Sequence, residues 1–272
     1  VPSIRPRFVE RSIIVVPVTV NDSGPYDFVL DTAAQVTTVD PALASELHLK
    51  LEGKAGVSGA GFSTLAEYAH ADRLRAGEYA IDDSLLLVHN LGQIQLEDRR
   101  VRGILGENFL ERFDLLIDYP HGIVCLDDGG RMREKVRGER IALEPRPGGT
   151  KNLPFTDPLI VQVRFSGRER RQLLLQLDSG INAPLLFEAG GEAVRTASLQ
   201  STGTDGVKRG YDILPPLDIE VGKRLLQRIS FVVPSAPRGG IRDSKIDGVL
   251  PTILFQRAFI SYADRVAVLE PW

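Results

Sequence analysis

Two aspartates carry the clearest chemical signal in this sequence, Asp31 and Asp178. Each closes an apolar run, Phe28-Val29-Leu30 before Asp31 and Leu175-Gln176-Leu177 before Asp178, and each is followed by a hydroxyl residue, Thr32 or Ser179. Taken alone, an Asp-Thr or Asp-Ser pair is a common turn or helix cap. Here both aspartates occupy the same place in a duplicated pattern, and the apolar runs before them predict partly buried carboxyls. Two carboxyls brought together cannot both ionise cheaply, so one pKa rises, the other falls and the pair shares a proton. Such a pair suits hydrolysis by water. The ionised member takes a proton from water, and the protonated member hydrogen-bonds the carbonyl under attack. Neither a metal nor a covalent intermediate is needed.

The elements that must position these groups read as short strands. Ile13 to Val20, Phe28 to Leu30, Leu85 to Val88, Leu115 to Ile117, Leu159 to Val163, Leu173 to Leu177, Ile229 to Val233 and Val266 to Leu269 are apolar runs bounded by turn formers. Helix signals are few. Asp40-Pro41 gives an N-cap and a proline at N1 ahead of a short helix over Ala42 to Leu49. Asn108 to Phe113 and Pro251 to Phe259 are the other two candidates. The expected fold class is all-β, mainly β with a few short helices.

The duplication extends beyond the aspartates. VPVTVNDSGPYDFVLDTAAQVTTV from Val16 aligns with IVQVRFSGRERRQLLLQLDSGINAPLLF from Ile160. GILG follows Asp31 after 72 residues, and GVLP follows Asp178 after 70. DYPHGIVCL ends at Leu126 and SYADRVAVL at Leu269, which closes each copy. The polar stretch Asp127 to Arg140 reads as a linker, which divides the chain into lobes 1–135 and 136–272. A pseudo-two-fold packing of those lobes would bring the two aspartates together at the axis.

These residues resemble the aspartic peptidases. Asp31-Thr32-Ala33-Ala34 is similar to their Asp-Thr-Gly-Ala signature, and Asp178-Ser179-Gly180 matches the Asp-Ser-Gly form. Ile104-Leu105-Gly106 is similar to the two-hydrophobics-then-glycine segment of the retropepsin-like members, in particular the single-chain, two-lobed bacterial proteins. The resemblance spans about residues 10 to 270. It implies two related acid-protease lobes and an aspartic endopeptidase with Asp31 and Asp178 as the catalytic dyad. Thr32 and Ser179 would interlock beneath the dyad, with Ala33 and Gly180 beside it. It also implies hairpin flaps over the cleft, Val57 to Ala69 with Ser58, Gly59, Ala60 and Gly61, and Ser201 to Tyr211 with Gly203 and Gly206. The substrate would be a peptide or protein held in extended form between apolar subsites. The chain would act as a monomer without a cofactor. The resemblance also favours export to the periplasm or beyond; no signal-peptide pattern is read, and export stays open because Val1 can be a processed end.

Two departures matter. Ala33 replaces a glycine, and a left-handed backbone there would strain an alanine. Pro251 replaces the glycine of the second downstream segment. Ala33 is what keeps a second reading open, a catalytically impaired relative that binds peptides.

The remaining features exclude other classes. The 33 basic and 36 acidic residues leave a net charge of -3, which offers no footprint for nucleic acid. The single cysteine, Cys125, allows no internal disulfide and reads as buried and structural. Four scattered histidines form no metal motif, and no apolar run is long enough to span a membrane. Asp82-Asp83, Asp127-Asp128 and the basic Arg168 to Arg171 read as solvated turns. Gly56 to Ala60 lacks the last glycine of a nucleophile elbow.

Overall fold

The computed structural model describes residues 3–59, 62–91, 95–96, 99–146, 157–166, 171–188, 195–202, 208–236 and 246–272. The protein is all-β with a few short helices, as the sequence predicts. Ile13–Val20 shows why: Ile14, Val16, Val18 and Val20 are fully buried, and Pro17 and Thr19 between them are half-buried. That period of two presents one apolar face to a core. Leu173, Leu175 and Leu177 do the same in Gln172–Asp178, while Leu174 and Gln176 turn to the other face.

Among the described residues the strands form three large sheets and one small hairpin. An eight-stranded sheet takes all its strands from residues 7–105, and a nine-stranded sheet from residues 160–251. In the first, Ser23–Leu30 pairs in parallel with Gly103–Leu105, with Phe28, Val29 and Leu30 opposite Gly103, Ile104 and Leu105. In the second, Gln172–Asp178 pairs in parallel with Gly248–Pro251, with Leu175, Gln176 and Leu177 opposite Gly248, Val249 and Leu250. Both registers start three residues before the aspartate, so each downstream segment lies against the strand that delivers an aspartate. A further antiparallel strand flanks each on its far side, Thr38–Val39 in the first sheet and Leu185–Leu186 in the second.

A six-stranded sheet joins the two ends of the sequence. Asp114–Asp118 lies antiparallel to Phe255–Ser261, and Ile141–Ala142 is the edge beyond Val266–Pro271. Leu30, Leu105, Leu115, Leu177, Leu250 and Ile260 belong to one continuous apolar cluster that runs between these sheets. The strand ends that carry the aspartates are therefore anchored in shared core and do not sit on free loops.

Several local expectations need correction. The helix expected over Pro251 to Phe259 is only a 3-10 turn, Thr252–Leu254, followed by the strand Phe255–Ser261. A proline start signal is weak beside a strand paired on both edges. Asp40 does cap the first helix, accepting from Leu43 N at 2.6 Å, but that helix covers only Pro41–Glu46. The expected linker contains a helix, Arg131–Lys135. Asp127 is buried, not solvated: its carboxylate accepts from Met132 N at 2.6 Å and Gly129 N at 3.2 Å. Ile229 to Val233 is broken between two strands, Arg224–Ile229 and Val232–Pro234. Cys125 is only partly buried, against Met132 and Val136. Most of the basic stretch Arg168 to Arg171 lies outside the described residues. No helix among the described residues is long and apolar enough to cross a membrane.

Candidate active site

The chain leaves its strand at Asp31, whose N–H donates to Leu105 O at 3.0 Å. The next turn folds back over the carboxyl: the N–H groups of Ala33 and Ala34 both donate to Asp31 Oδ1, at 2.8 and 3.0 Å. At Asp178 one such bond forms, from Gly180 N to Oδ1 at 2.7 Å. The two carboxyls meet between the sheets, close enough that each acts on the protonation of the other. Gly180 marks the closeness of the approach. A Cβ there would lie 2.8 Å from Asp31 Cγ and Oδ2 and 3.2 Å from Asp178 Oδ1. Only glycine leaves that room.

Beneath the pair the two turns interlock. Thr32 N donates to Ser179 Oγ, and Ser179 N donates to Thr32 Oγ1, both at 3.1 Å. The hydroxyls then reach across: Thr32 Oγ1 donates to Leu177 O at 3.1 Å and Ser179 Oγ to Leu30 O at 2.8 Å. Both side chains are buried. Each hydroxyl accepts once and donates once, so four bonds tie the two aspartate turns together.

The electrostatics of the pair are unequal. Burial raises Asp31, and the N–H groups of Ala33 and Ala34 and the neighbouring Asp178 carboxyl pull it back down. Burial raises Asp178 well above the ordinary value, the Asp31 charge adds to this, and the single N–H of Gly180 offsets only part. Hydrogen bonds to a charged carboxylate favour that form, and a like charge disfavours it. The arrangement favours the anion at Asp31 and the neutral acid at Asp178.

Behind Asp31 the turn is fixed by the helix Glu107–Leu110. Glu107 N donates to Ala34 O at 2.7 Å and Asn108 N to Gln35 O at 3.2 Å. Asn108 Oδ1 accepts from both N and Oγ1 of Thr37, at 2.7 and 2.8 Å. Gly106 makes this contact possible, because a Cβ would stand 2.6 Å from Ala34 O. Ala33 is not in the left-handed region of the backbone, so its methyl carries no strain of the kind feared from the sequence. Pro251 ends its strand opposite Asp178 with φ -64°, ordinary for proline.

The first expected flap is part of a long hairpin, Leu51–Gly59 against Phe62–Ala76, paired as far as Ser58 with Ser63 and Gly59 with Phe62. Ala60 and Gly61 lie outside the described residues. The second is a hairpin of Ala197–Thr202 against Lys208–Ile213, and Gly203 and Gly206 also lie outside the described residues. Among the described residues no cluster of three or more His, Cys, Asp or Glu could hold a metal.

Sequence reasoning passed over four residues near the pair. Gln176 stands two positions before Asp178 on the same strand face and donates from Nε2 to Ala33 O at 3.4 Å, across the junction. Glu107, directly after Gly106, is fully buried. Tyr119 and Thr252 meet through their hydroxyls at 2.7 Å, again across the junction. Strand parity would have found Gln176; nothing in composition marks the others.

The family pattern described as aspartyl protease matches residues 16–109. A crystal structure of a retropepsin-like aspartic protease from Rickettsia conorii is similar to this chain at 19% identity and a TM-score of 0.33, covering 42% of this chain and 81% of its own. No protein with a curated description matches the chain.

Proposed function

We propose, from a chain whose residues 16–109 match the aspartyl protease pattern, that the protein is an aspartic endopeptidase working through Asp31 and Asp178. The observation that carries this is the close carboxyl pair, Asp178 buried and Asp31 half-buried, one member supported as an anion and the other as an acid, on turns locked by Thr32 and Ser179.

The reaction follows from the asymmetry. Asp31, ionised, takes a proton from a water held between the carboxyls as its oxygen attacks the peptide carbonyl carbon. Asp178 gives its proton to the carbonyl oxygen, so a neutral tetrahedral diol forms. The proton on Asp31 then passes to the amide nitrogen and the C–N bond breaks. Asp178 recovers its proton from a diol hydroxyl as the carbonyl re-forms. The net reaction adds one water, and the pair ends as it began. The Ala33 and Ala34 N–H groups are aimed at Asp31 before substrate arrives, so the anion needs no reorganisation.

The substrate in this reading is an extended peptide across the junction of lobes 1–135 and 136–272, pairing with hairpin backbone as an added strand. Leu65 on the first hairpin is 69% exposed and would supply apolar cover. Both half-sites lie on one chain, so a monomer suffices. The rival reading, an impaired peptide-binding relative, drew on strain at Ala33, and the backbone there gives it no support.

The test is cleavage of a denatured, alkylated protein from acid to neutral pH. The wild type should cut it, and Asp31→Asn and Asp178→Asn should each lose about 10³-fold or more in kcat/KM. Cleavage that persists in both variants would remove the assignment.

A further inference from the structure

Three buried polar groups behind the Asp31 turn have no part in this chemistry. Glu107 is fully buried, and neither carboxyl oxygen has a hydrogen-bond partner among the described residues. The Tyr262 hydroxyl and Gln35 Nε2 are buried without one as well. Glu107 N is bonded to Ala34 O at 2.7 Å, so this acid starts at the turn whose N–H groups support Asp31. Tyr262 comes from the opposite side, just after Phe255–Ser261, and Glu107 is the foremost ionisable group acting on its hydroxyl.

The other half of the molecule supplies the contrast. Thr252 follows Pro251 as Glu107 follows Gly106, and Tyr119 follows Asp114–Asp118 as Tyr262 follows Phe255–Ser261. There the junction is complete, with Tyr119 Oη and Thr252 Oγ1 2.7 Å apart and both residues buried. One tyrosine meets a hydroxyl; the hydroxyl of the other has no hydrogen-bond partner among the described residues, with the Glu107 carboxyl the foremost ionisable group acting on it. A buried carboxylate without hydrogen bonds is far costlier than the neutral acid.

We infer that Glu107 is a positioning residue for Asp31: an uncharged acid that, with Tyr262, fills the junction behind the Asp31 turn, and whose ionisation as pH rises sets a second negative charge beside Asp31 and loosens that turn. The inference rests on the dyad reading above. The surrounding charges are accounted for. Burial pushes Glu107 well above the ordinary carboxyl range, Asp31 and Glu111 push the same way, and Arg265 and Arg146 oppose them. The Arg265 guanidinium is already taken by the carbonyls of Glu144, Asp157 and Pro158 at 2.8 to 3.0 Å. The Tyr262 phenol is itself pushed up by burial and stays neutral.

The experiment compares wild type with Glu107→Gln, which keeps the shape and cannot ionise, and with Thr252→Val as the control junction. Tm and kcat/KM on the denatured protein are measured against pH. A carboxyl with a raised folded pKa favours the folded state fully below its unfolded value, about 4.3 for Glu, and that advantage is lost as pH rises through the folded value. Gln escapes the loss. The Tm of Glu107→Gln should therefore match wild type near about pH 4.5 and exceed it by a growing margin toward about pH 8. Its kcat/KM should stay within about threefold of wild type in acid, with the basic limb displaced to higher pH. Thr252→Val should lower Tm equally at every pH and leave the limb in place. A Tm difference that does not grow with pH overturns the inference. A growing difference with an unmoved limb also overturns it, since it leaves a purely structural acid. If wild type cleaves nothing while the Tm difference grows, the protease reading is what fails. Carbon-13 carboxyl NMR of Glu-labelled wild type needs no variant: one Glu signal should titrate well above the others, and uniform titration near about 4.3 contradicts it.

Discussion

The two aspartate turns are built from the same plan and finished differently. At Asp31 two N–H groups converge on one carboxyl oxygen, and a helix directly behind clamps the turn through Glu107, Asn108 and Thr37. At Asp178 a single N–H does so, and the turn is led away into Leu185–Leu186, with Val232 N bonded to Pro184 O. Gly180 supplies the empty space into which the Asp31 carboxyl fits, and Ala33 fills the corresponding place on the other side. The difference teaches that a near-symmetric frame does not need symmetric chemistry. One turn supplies support for charge and the other supplies room, which is what separates a base from an acid when both are aspartates.

The sharpest way to break this comparison is Gly180→Ala. Its Cβ would intrude to 2.8 Å from the Asp31 carboxyl, so one of the two carboxyls must move. A displacement near 1 Å can cost about 10²-fold, and kcat/KM should fall by about that much with KM little changed. A steady-state comparison at acid pH checks it.

The locking bonds come next. Thr32→Val and Ser179→Ala each leave buried partners of the interlock unpaired. Each should lower stability by about 1–3 kcal/mol, and by similar amounts, because the bonds are reciprocal. Denaturant unfolding of the two variants reads this directly, and a loss confined to one side would show that only one turn bears the lock.

Asp178 then sharpens the acid assignment. Its folded pKa is raised, so its contribution favours the folded state below the unfolded aspartate value and is lost as pH rises through the folded one. Asp178→Asn should gain Tm over wild type toward neutral pH and gain least in acid. Asp31→Asn should show the same trend more weakly, since its N–H bonds oppose the rise. Ala33→Gly is the smallest effect. With no left-handed backbone to relieve, it should stay within about threefold of wild-type activity.

Much of this was legible in the residues. Alternation gave most strands, because a sheet face against a core demands period two, as in Ile13–Val20. The aspartates stood out through duplication, and Thr32 and Ser179 came with them. The clamp on the Asp31 turn was not legible: Asn108 reads as an ordinary polar residue on a short helix until Thr37 is packed against it. Glu107 reads as an acid at a helix start, the usual solvent-facing place for one. It is instead fully buried, on a helix whose N–H groups bond back to the Asp31 turn, and that packing is a tertiary fact. The failed helix after Pro251 has the same origin, since pairing on both edges of Phe255–Ser261 is a tertiary fact. Ala33 was misjudged for a different reason. A family glycine at a position does not mean that the backbone there is left-handed.

The account stands most directly on cleavage measured side by side for wild type, Asp31→Asn and Asp178→Asn on one denatured protein, with Tm recorded for each. It predicts cleavage by wild type alone, with both variants folded. A folded Asp31→Asn or Asp178→Asn that cuts at the wild-type rate would contradict it.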